Sequence, residues 1–196
     1  LNDWMASNST IDHLFHNNAV NLNYICKKSK KIHPCVVWES DTAPDIWIKS
    51  YKNLNIGKLI CACDWNKGFE TYSQLDEMIG KEEWQNKIEF TYVGNLPKNF
   101  KFENSNHVEP LSGKKLADEI KKNHIYVTGS LNEPSGNHHI EAAQCGLPIL
   151  YIDSGGIPEY CDDFGVKFNP TNFESKLKEM YENYDVYHKN MLTYPF

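Results

Sequence analysis

The sequence predicts an α/β fold: a doubly wound parallel sheet with helices on both faces. Three observations carry this. Short apolar runs alternate with amphipathic stretches from Lys58 to Tyr184, and strands separated by helical patterns favour parallel pairing. One unit is complete, running from His124-Ile-Tyr-Val-Thr128 through a loop and a helical pattern to the run Leu147–Ile152. That pattern stops at Gly146 with Pro148 just beyond, as expected of a helix C-terminus.

In chain order, residues 1–55 form a preceding segment or linker of unclear structure, rich in Asn and Lys. Ile32–Trp38 has strand character and Asp41-Thr-Ala-Pro-Asp45 turn character. Residues 56–196 are the folded domain. Lys58–Cys63 is a strand, Asp64–Gly68 a loop, and Phe69–Ile79 a helix with Tyr72, Leu75, Met78 and Ile79 on one side. Lys87–Val93 is a strand ending at Gly94-Asn-Leu-Pro97, and an extended piece lies around Asn106–Glu109. Lys114–Lys122 is a helix with Leu116, Ala117 and Ile120 inward. Ser154-Gly-Gly-Ile-Pro-Glu-Tyr160 turns into a short helix, Gly165–Phe168 is a strand, and a final helix runs from Phe173 to about Tyr184.

Composition excludes several classes. At 196 residues, 40% hydrophobic and 13% aromatic, the chain can bury a sizeable core. A net charge of −6 argues against nucleic-acid or membrane-surface binding, which demands basic faces. No apolar run approaches the roughly 18–20 residues of a membrane span, and no signal peptide is visible, so a cytoplasmic location is expected. The start at Leu1 rather than Met suggests a fragment or excised domain. The six cysteines, Cys26, Cys35, Cys61, Cys63, Cys145 and Cys161, lack metal or disulfide-framework spacing and are expected as free thiols. Cys61 and Cys63 are expected on opposite faces of their strand.

The chemistry concentrates in the loop and helix start Glu133-Pro-Ser-Gly-Asn-His-His-Ile-Glu141. It falls at the carboxyl edge of the sheet, where open α/β sheets bind ligands. The amides of Gly136, Asn137 and His138 stand at the positive end of the helix dipole. Amide donors flanked by two carboxylates suit a ligand that is part phosphate and part sugar. The plain alternative makes Glu133 a helix cap and Glu141 a solvated charge. Dinucleotide and P-loop glycine motifs are absent. No Asp-x-Asp pair suggests a held divalent metal, and the adjacent His138 and His139, about 100° apart on a helix, cannot chelate one ion together.

With its surroundings, Glu133-Pro-Ser-Gly-Asn-His-His-Ile-Glu141-Ala-Ala-Gln-Cys-Gly-Leu-Pro148 resembles the E-x7-E signature of family 4 of the retaining, nucleotide-sugar-dependent glycosyltransferases. Asp153-Ser-Gly-Gly-Ile-Pro-Glu159 is similar to the glycine-rich segment that follows in that family. Lys67-Gly68-Phe69 looks like its donor-loop lysine and glycine, and Tyr92-Val-Gly-Asn-Leu-Pro97 like the turn near the nucleotide. The resemblance covers residues 56 to about 170. It implies a Rossmann-like sheet forming the C-terminal half of a GT-B enzyme, with a nucleoside-diphosphate sugar as donor and no metal cofactor. It assigns Glu141 to the ribose hydroxyls and Glu133 to the donor sugar. Gly136, Asn137 and His138 fall to the diphosphate or sugar. Lys67, beside Gly68, neutralises the leaving diphosphate, so Glu133 and Lys67 are the catalytic candidates. Base recognition is expected near the backbone of Gly94 and Pro110–Leu111.

Two departures qualify the resemblance. Ala62 stands where the family carries an arginine five residues before the loop lysine, and the loop Asp64-Trp-Asn is short. The N-terminal GT-B domain that binds the acceptor, itself an unknown glycan, lipid or protein, is expected to be missing from this chain. The reading is therefore a glycosyltransferase domain that is inactive as this fragment alone. The alternatives are a catalytically inactive nucleotide-sugar-binding or protein-interaction module, or another GT-B enzyme such as an epimerase.

Overall fold

The computed structural model describes residues 57–64 and 67–196. The expectations for residues 1–55, including Cys26 and Cys35, lie outside the described residues, as do Trp65 and Asn66. Six parallel strands form one sheet: β1 (Gly57–Ala62), β2 (Ile88–Val93), β3 (Asn106–Val108), β4 (Ile125–Thr128), β5 (Ile149–Ile152) and β6 (Gly165–Phe168). Their order is β3-β2-β1-β4-β5-β6, the doubly wound arrangement whose direction reverses between β1 and β4. The helices are α1 (Phe69–Ile79), α2 (Gly113–Ile120), α3 (Asn137–Gln144), α4 (Ile157–Cys161), α5 (Phe173–Glu182) and α6 (Tyr184–Asn190).

The strands are apolar on both faces because both faces are covered. Leu59, Phe90, Val127 and Leu150 pack against Tyr72 and Leu75 of α1 and Leu177 and Met180 of α5. Ile60, Tyr126, Ile149 and Tyr151 pack against Ala117 and Ile120 of α2, Ile140 and Ala143 of α3, and Ile157 of α4. Ala142 and Ala143 are buried, and such short side chains let α3 lie close to the sheet. Gly146 has φ 88°. Its amide donates to the Ala143 carbonyl at 2.8 Å, and the Leu147 amide to Ala142 at 3.1 Å. These are the paired bonds of a Schellman stop, which favours glycine at the left-handed position.

The structure departs from the sequence reading in two places, at the last helix and at the cysteine pair, and matches its helix-free stretch between β2 and β3. The last helix breaks at Asn183, whose side chain donates to the Glu179 carbonyl at 2.9 Å, and a separate helix α6 follows. The link from β2 to β3 contains no helix. Cys61 and Cys63 share one face, both on the α1 side of the sheet, because residues two apart in a strand point the same way. The expectation of free thiols holds for the four described cysteines. Among the described residues no helix is long and apolar enough to cross a membrane.

The helix-free link is held by a buried carboxylate. Asp76 in α1 accepts the amides of Glu103 at 3.0 Å and Asn104 at 2.9 Å, and the Asn104 side chain returns a bond to the Asp76 carbonyl at 3.0 Å. Replacing Asp76 by Ala leaves two amides without their acceptor. We expect a loss of about 2–4 kcal/mol, seen as a lower urea midpoint at unchanged slope, with Asp76→Asn falling between because its side-chain oxygen can still accept.

Candidate functional site

The switch point brings two loops together at the carboxyl edge of the sheet: the β1–α1 loop bearing Lys67, and the β4–α3 loop bearing Glu133. Glycines allow this contact. A Cβ on Gly68 would lie 2.2 Å from the backbone of Gly129, and Gly68 has φ 94°. A Cβ on Gly129 would strike Thr71 Oγ1 at 2.4 Å. The Lys67 carbonyl then accepts from the Tyr72 hydroxyl at 3.1 Å and from Ser130 Oγ at 3.4 Å. Behind the second loop stands the glycine turn after β5. The Gly156 amide donates to the Glu133 carbonyl at 2.8 Å, and the Asn132 amide to Ser154 Oγ at 2.8 Å. A Cβ on Gly155 would come within 2.2 Å of the Glu133 carbonyl, so glycine here sets the position of Glu133.

The result is an open cleft of about 630 Å³. Lys67, Glu133, Gly136, Asn137, His138 and Glu141 all line it, together with Cys63 and Asp64. Gly68 lies just behind, buried under the loop. Lys67 Nζ donates to Glu133 Oε2 at 2.5 Å. Glu133 is not a helix cap: α3 starts at Gly136 with no side-chain cap, so its first amides keep their donor capacity toward the cleft. Nor is Glu141 a solvated charge. It is partly buried, and burial pushes its carboxyl up to about 7. Among the described residues no charge or hydrogen-bond donor offsets that burial.

His138 is a frame residue as well as a lining one. Tyr126 holds Ala62, accepting its amide at 3.0 Å and donating to its carbonyl at 2.9 Å. The single hydroxyl proton is thereby used, so His138 Nδ1, 3.1 Å away, is the donor to Tyr126. His138 Nε2, the unprotonated nitrogen, lies 3.3 Å from Ser130 Oγ and shares the one hydroxyl proton of that serine with the Lys67 carbonyl. Burial, with the Lys67 charge nearby, lowers the imidazole to about 3, so it is neutral at physiological pH. His139 is fully buried, with no hydrogen-bond partner for either ring nitrogen. Among the described residues no three His, Cys, Asp or Glu side chains gather as a metal site. No sequence signal marks Tyr126, Ser130 or Gly129, which read only as the interior and end of an apolar run. Cys63 and Asp64 were legible as strand end and loop, not as cleft walls.

Fold and cleft together define an α/β domain of GT-B glycosyltransferase architecture. Residues 98–191 match the model of the family described as glycosyl transferases group 1. The chain is 25% identical over 168 residues to the phosphatidylinositol N-acetylglucosaminyltransferase gpi3 subunit of Schizosaccharomyces pombe. That match covers 81% of this chain and 36% of the relative, so the chain spans about a third of that protein. Solved structures share the fold. WaaG, a glycosyltransferase involved in lipopolysaccharide biosynthesis, aligns with a TM-score of 0.63 at 15% identity, over 79% of this chain and 46% of its own. The pneumococcal O-GlcNAc transferase GtfA, solved with UDP and GlcNAc, gives 0.56 at 15% identity, over 70% and 32%.

The raised carboxyl of Glu141 makes a stability prediction. Its folded value near 7 stands above the unfolded 4.5, so the penalty for ionising it is absent below about pH 4.5, builds between 4.5 and 7 and levels off above that. Glu141→Gln is therefore expected to stabilise the unliganded protein by about 1–3 kcal/mol at pH 8. Thermal melts should show the gain shrinking to nothing near pH 4.5.

Proposed function

We propose that the cleft binds a nucleoside-diphosphate sugar and that the domain is the donor half of a retaining glycosyltransferase. One observation carries the reading. A lysine and uncapped helix amides lie between two carboxylates in a single cleft at the switch point, which matches a ligand that is anionic in the middle and hydroxylated at both ends. Glu141, without a partner to stabilise its charge, accepts the ribose hydroxyls. Glu133 faces the donor sugar. The amides of Gly136, Asn137 and His138 and the Lys67 ammonium meet the diphosphate. As the glycosyl–phosphate bond breaks, Lys67 stabilises the charge developing on the leaving group, and no metal is required. An acceptor-binding half, supplied outside the residues described, completes the cleft.

A second reading, a module that holds the donor without turnover, is favoured by Ala62 and by the Lys67–Glu133 pair. Ala62 offers no cation, and its backbone is held by Tyr126. Lys67, the lysine lining this cleft, is already engaged by Glu133. Donor binding without hydrolysis or transfer by the full-length protein would leave only that reading.

Calorimetry with UDP-, GDP- and ADP-sugars tests the site. Glu141→Ala should weaken binding of the preferred donor about 10- to 100-fold, and unchanged affinity would exclude the ribose role. Only the ionised carboxylate accepts from both hydroxyls. Affinity should therefore rise from pH 6 to pH 8, by up to about ten-fold per unit below the carboxyl's value near 7, and Glu141→Gln should flatten that dependence.

A further inference from the structure

The cleft wall carries a thiol, backed by a second, that the donor reading does not use. Cys61, in β1, and Cys63, just past its end, point the same way, with Sγ atoms 3.2 Å apart. Cys61 is wholly buried, whereas Cys63 is partly exposed and lines the cleft beside Lys67. The Tyr72 hydroxyl lies 3.2 Å from Cys63 Sγ, and Tyr92 donates to the Cys63 carbonyl at 3.0 Å. The geometry assigns to Cys63 and Cys61 a two-thiol modification site for peroxide-class oxidants, with Cys63 attacking and Cys61 resolving. Where the occupant of the cleft is concerned, this rests on the donor reading above.

The asymmetry of the pair sets the order of events. The hydrogen bond from Cys61 lowers the Cys63 thiol, helped by Tyr72 and the Lys67 charge against the cost of burial. Burial instead raises Cys61 well above the ordinary range. The more acidic, more accessible sulfur is the nucleophile, because the thiolate is the reactive form. Cys63 thiolate attacks one peroxide oxygen, the O–O bond breaks, and the other oxygen leaves as hydroxide and takes a proton to become water. Cys63 is then a sulfenic acid. Cys61 sulfur attacks Cys63 sulfur, its thiol proton goes to the departing hydroxyl, and a second water leaves. In sum, two thiols and one peroxide give one disulfide and two waters, each sulfur losing one electron.

Closing the bond draws the sulfurs from 3.2 Å to about 2.05 Å. The movement falls on Ala62 and Cys63, at the strand end. Ala62 is the residue whose backbone Tyr126 grips, and Tyr126 bonds His138. Oxidation thus acts on the same hydroxyl–imidazole frame that supports the start of α3. Carried through, the disulfide closes a switch on the cleft that a thiol reductant reopens.

The test uses the whole chain, reduced, then exposed to hydrogen peroxide, blocked with N-ethylmaleimide and digested with trypsin. Cleavage after Lys58 and Lys67 releases one peptide holding both cysteines. We expect that peptide two hydrogens lighter and free of maleimide, restored by dithiothreitol. Cys63→Ser should abolish the change, and Cys61→Ala should leave a Cys63 sulfenic acid that dimedone traps. Maleimide on both thiols after peroxide, or pairing of either with another cysteine in place of this bond, overturns the proposal. The readout needs no donor, so its failure is distinct from failure of the donor reading. If both hold, a donor at ten times its dissociation constant slows oxidation about ten-fold, since about a tenth of the sites stay empty.

Discussion

The close approach of two loop backbones at the switch point is the constraint on which the site depends. Gly68 and Gly129 meet at a separation no side chain could share, and this brings the Lys67 carbonyl within reach of Tyr72 and Ser130. Those bonds fix the loop from which the Lys67 side chain crosses to Glu133. The second loop is pressed from behind in the same manner, with Gly155 and Gly156 packed on the backbone of Glu133 and Pro134. Three loops from successive sheet edges are thus stacked backbone on backbone. Side-chain positions in the cleft follow from that stacking rather than from packing of the side chains themselves.

Tyr126 extends this control into the sheet. Its hydroxyl reaches across the switch point, from β4 to Ala62 at the end of β1, and from there to His138 in the first turn of α3. A neutral His138 suits this role, because Nδ1 donates to Tyr126 while an unprotonated Nε2 is left as an acceptor toward Ser130. Burial and the nearby Lys67 charge keep it neutral. The same arrangement makes the position of Ala62 backbone-determined.

Much of the fold was legible because each strand is buried on both faces and each helix on one. Apolar runs and three-to-four spacing then mark elements directly, and Phe69–Ile79 and Gly165–Phe168 match the sequence reading residue for residue. The break at Asn183 was not legible, since an asparagine inside an apolar helical pattern reads as a surface residue until its amide is seen bonded back to Glu179. The candidate site was legible as a motif, with Glu133, Glu141 and Lys67 brought to one cleft. Its frame was not. Tyr126 contacts Ala62 across 64 residues of sequence, and a contact of that separation leaves no local pattern.

The polar groups of the domain divide into two kinds, and the division separates structure from function. Asp76 has two backbone donors, Tyr151 gives its hydroxyl proton to Asp162 at 2.5 Å, and Trp84 donates to Glu174 at 2.8 Å. Each of these satisfies a group whose burial would otherwise cost about 1–3 kcal/mol. Around the cleft the opposite holds. Glu141 is buried enough to raise its carboxyl to about 7, Asn137 Oδ1 and both nitrogens of His139 lack partners, and α3 begins without a side-chain cap. All of these lie between the start of α3 and its second turn. Of these, Asn137 and Glu141 line the cleft, whereas His139 is buried behind it.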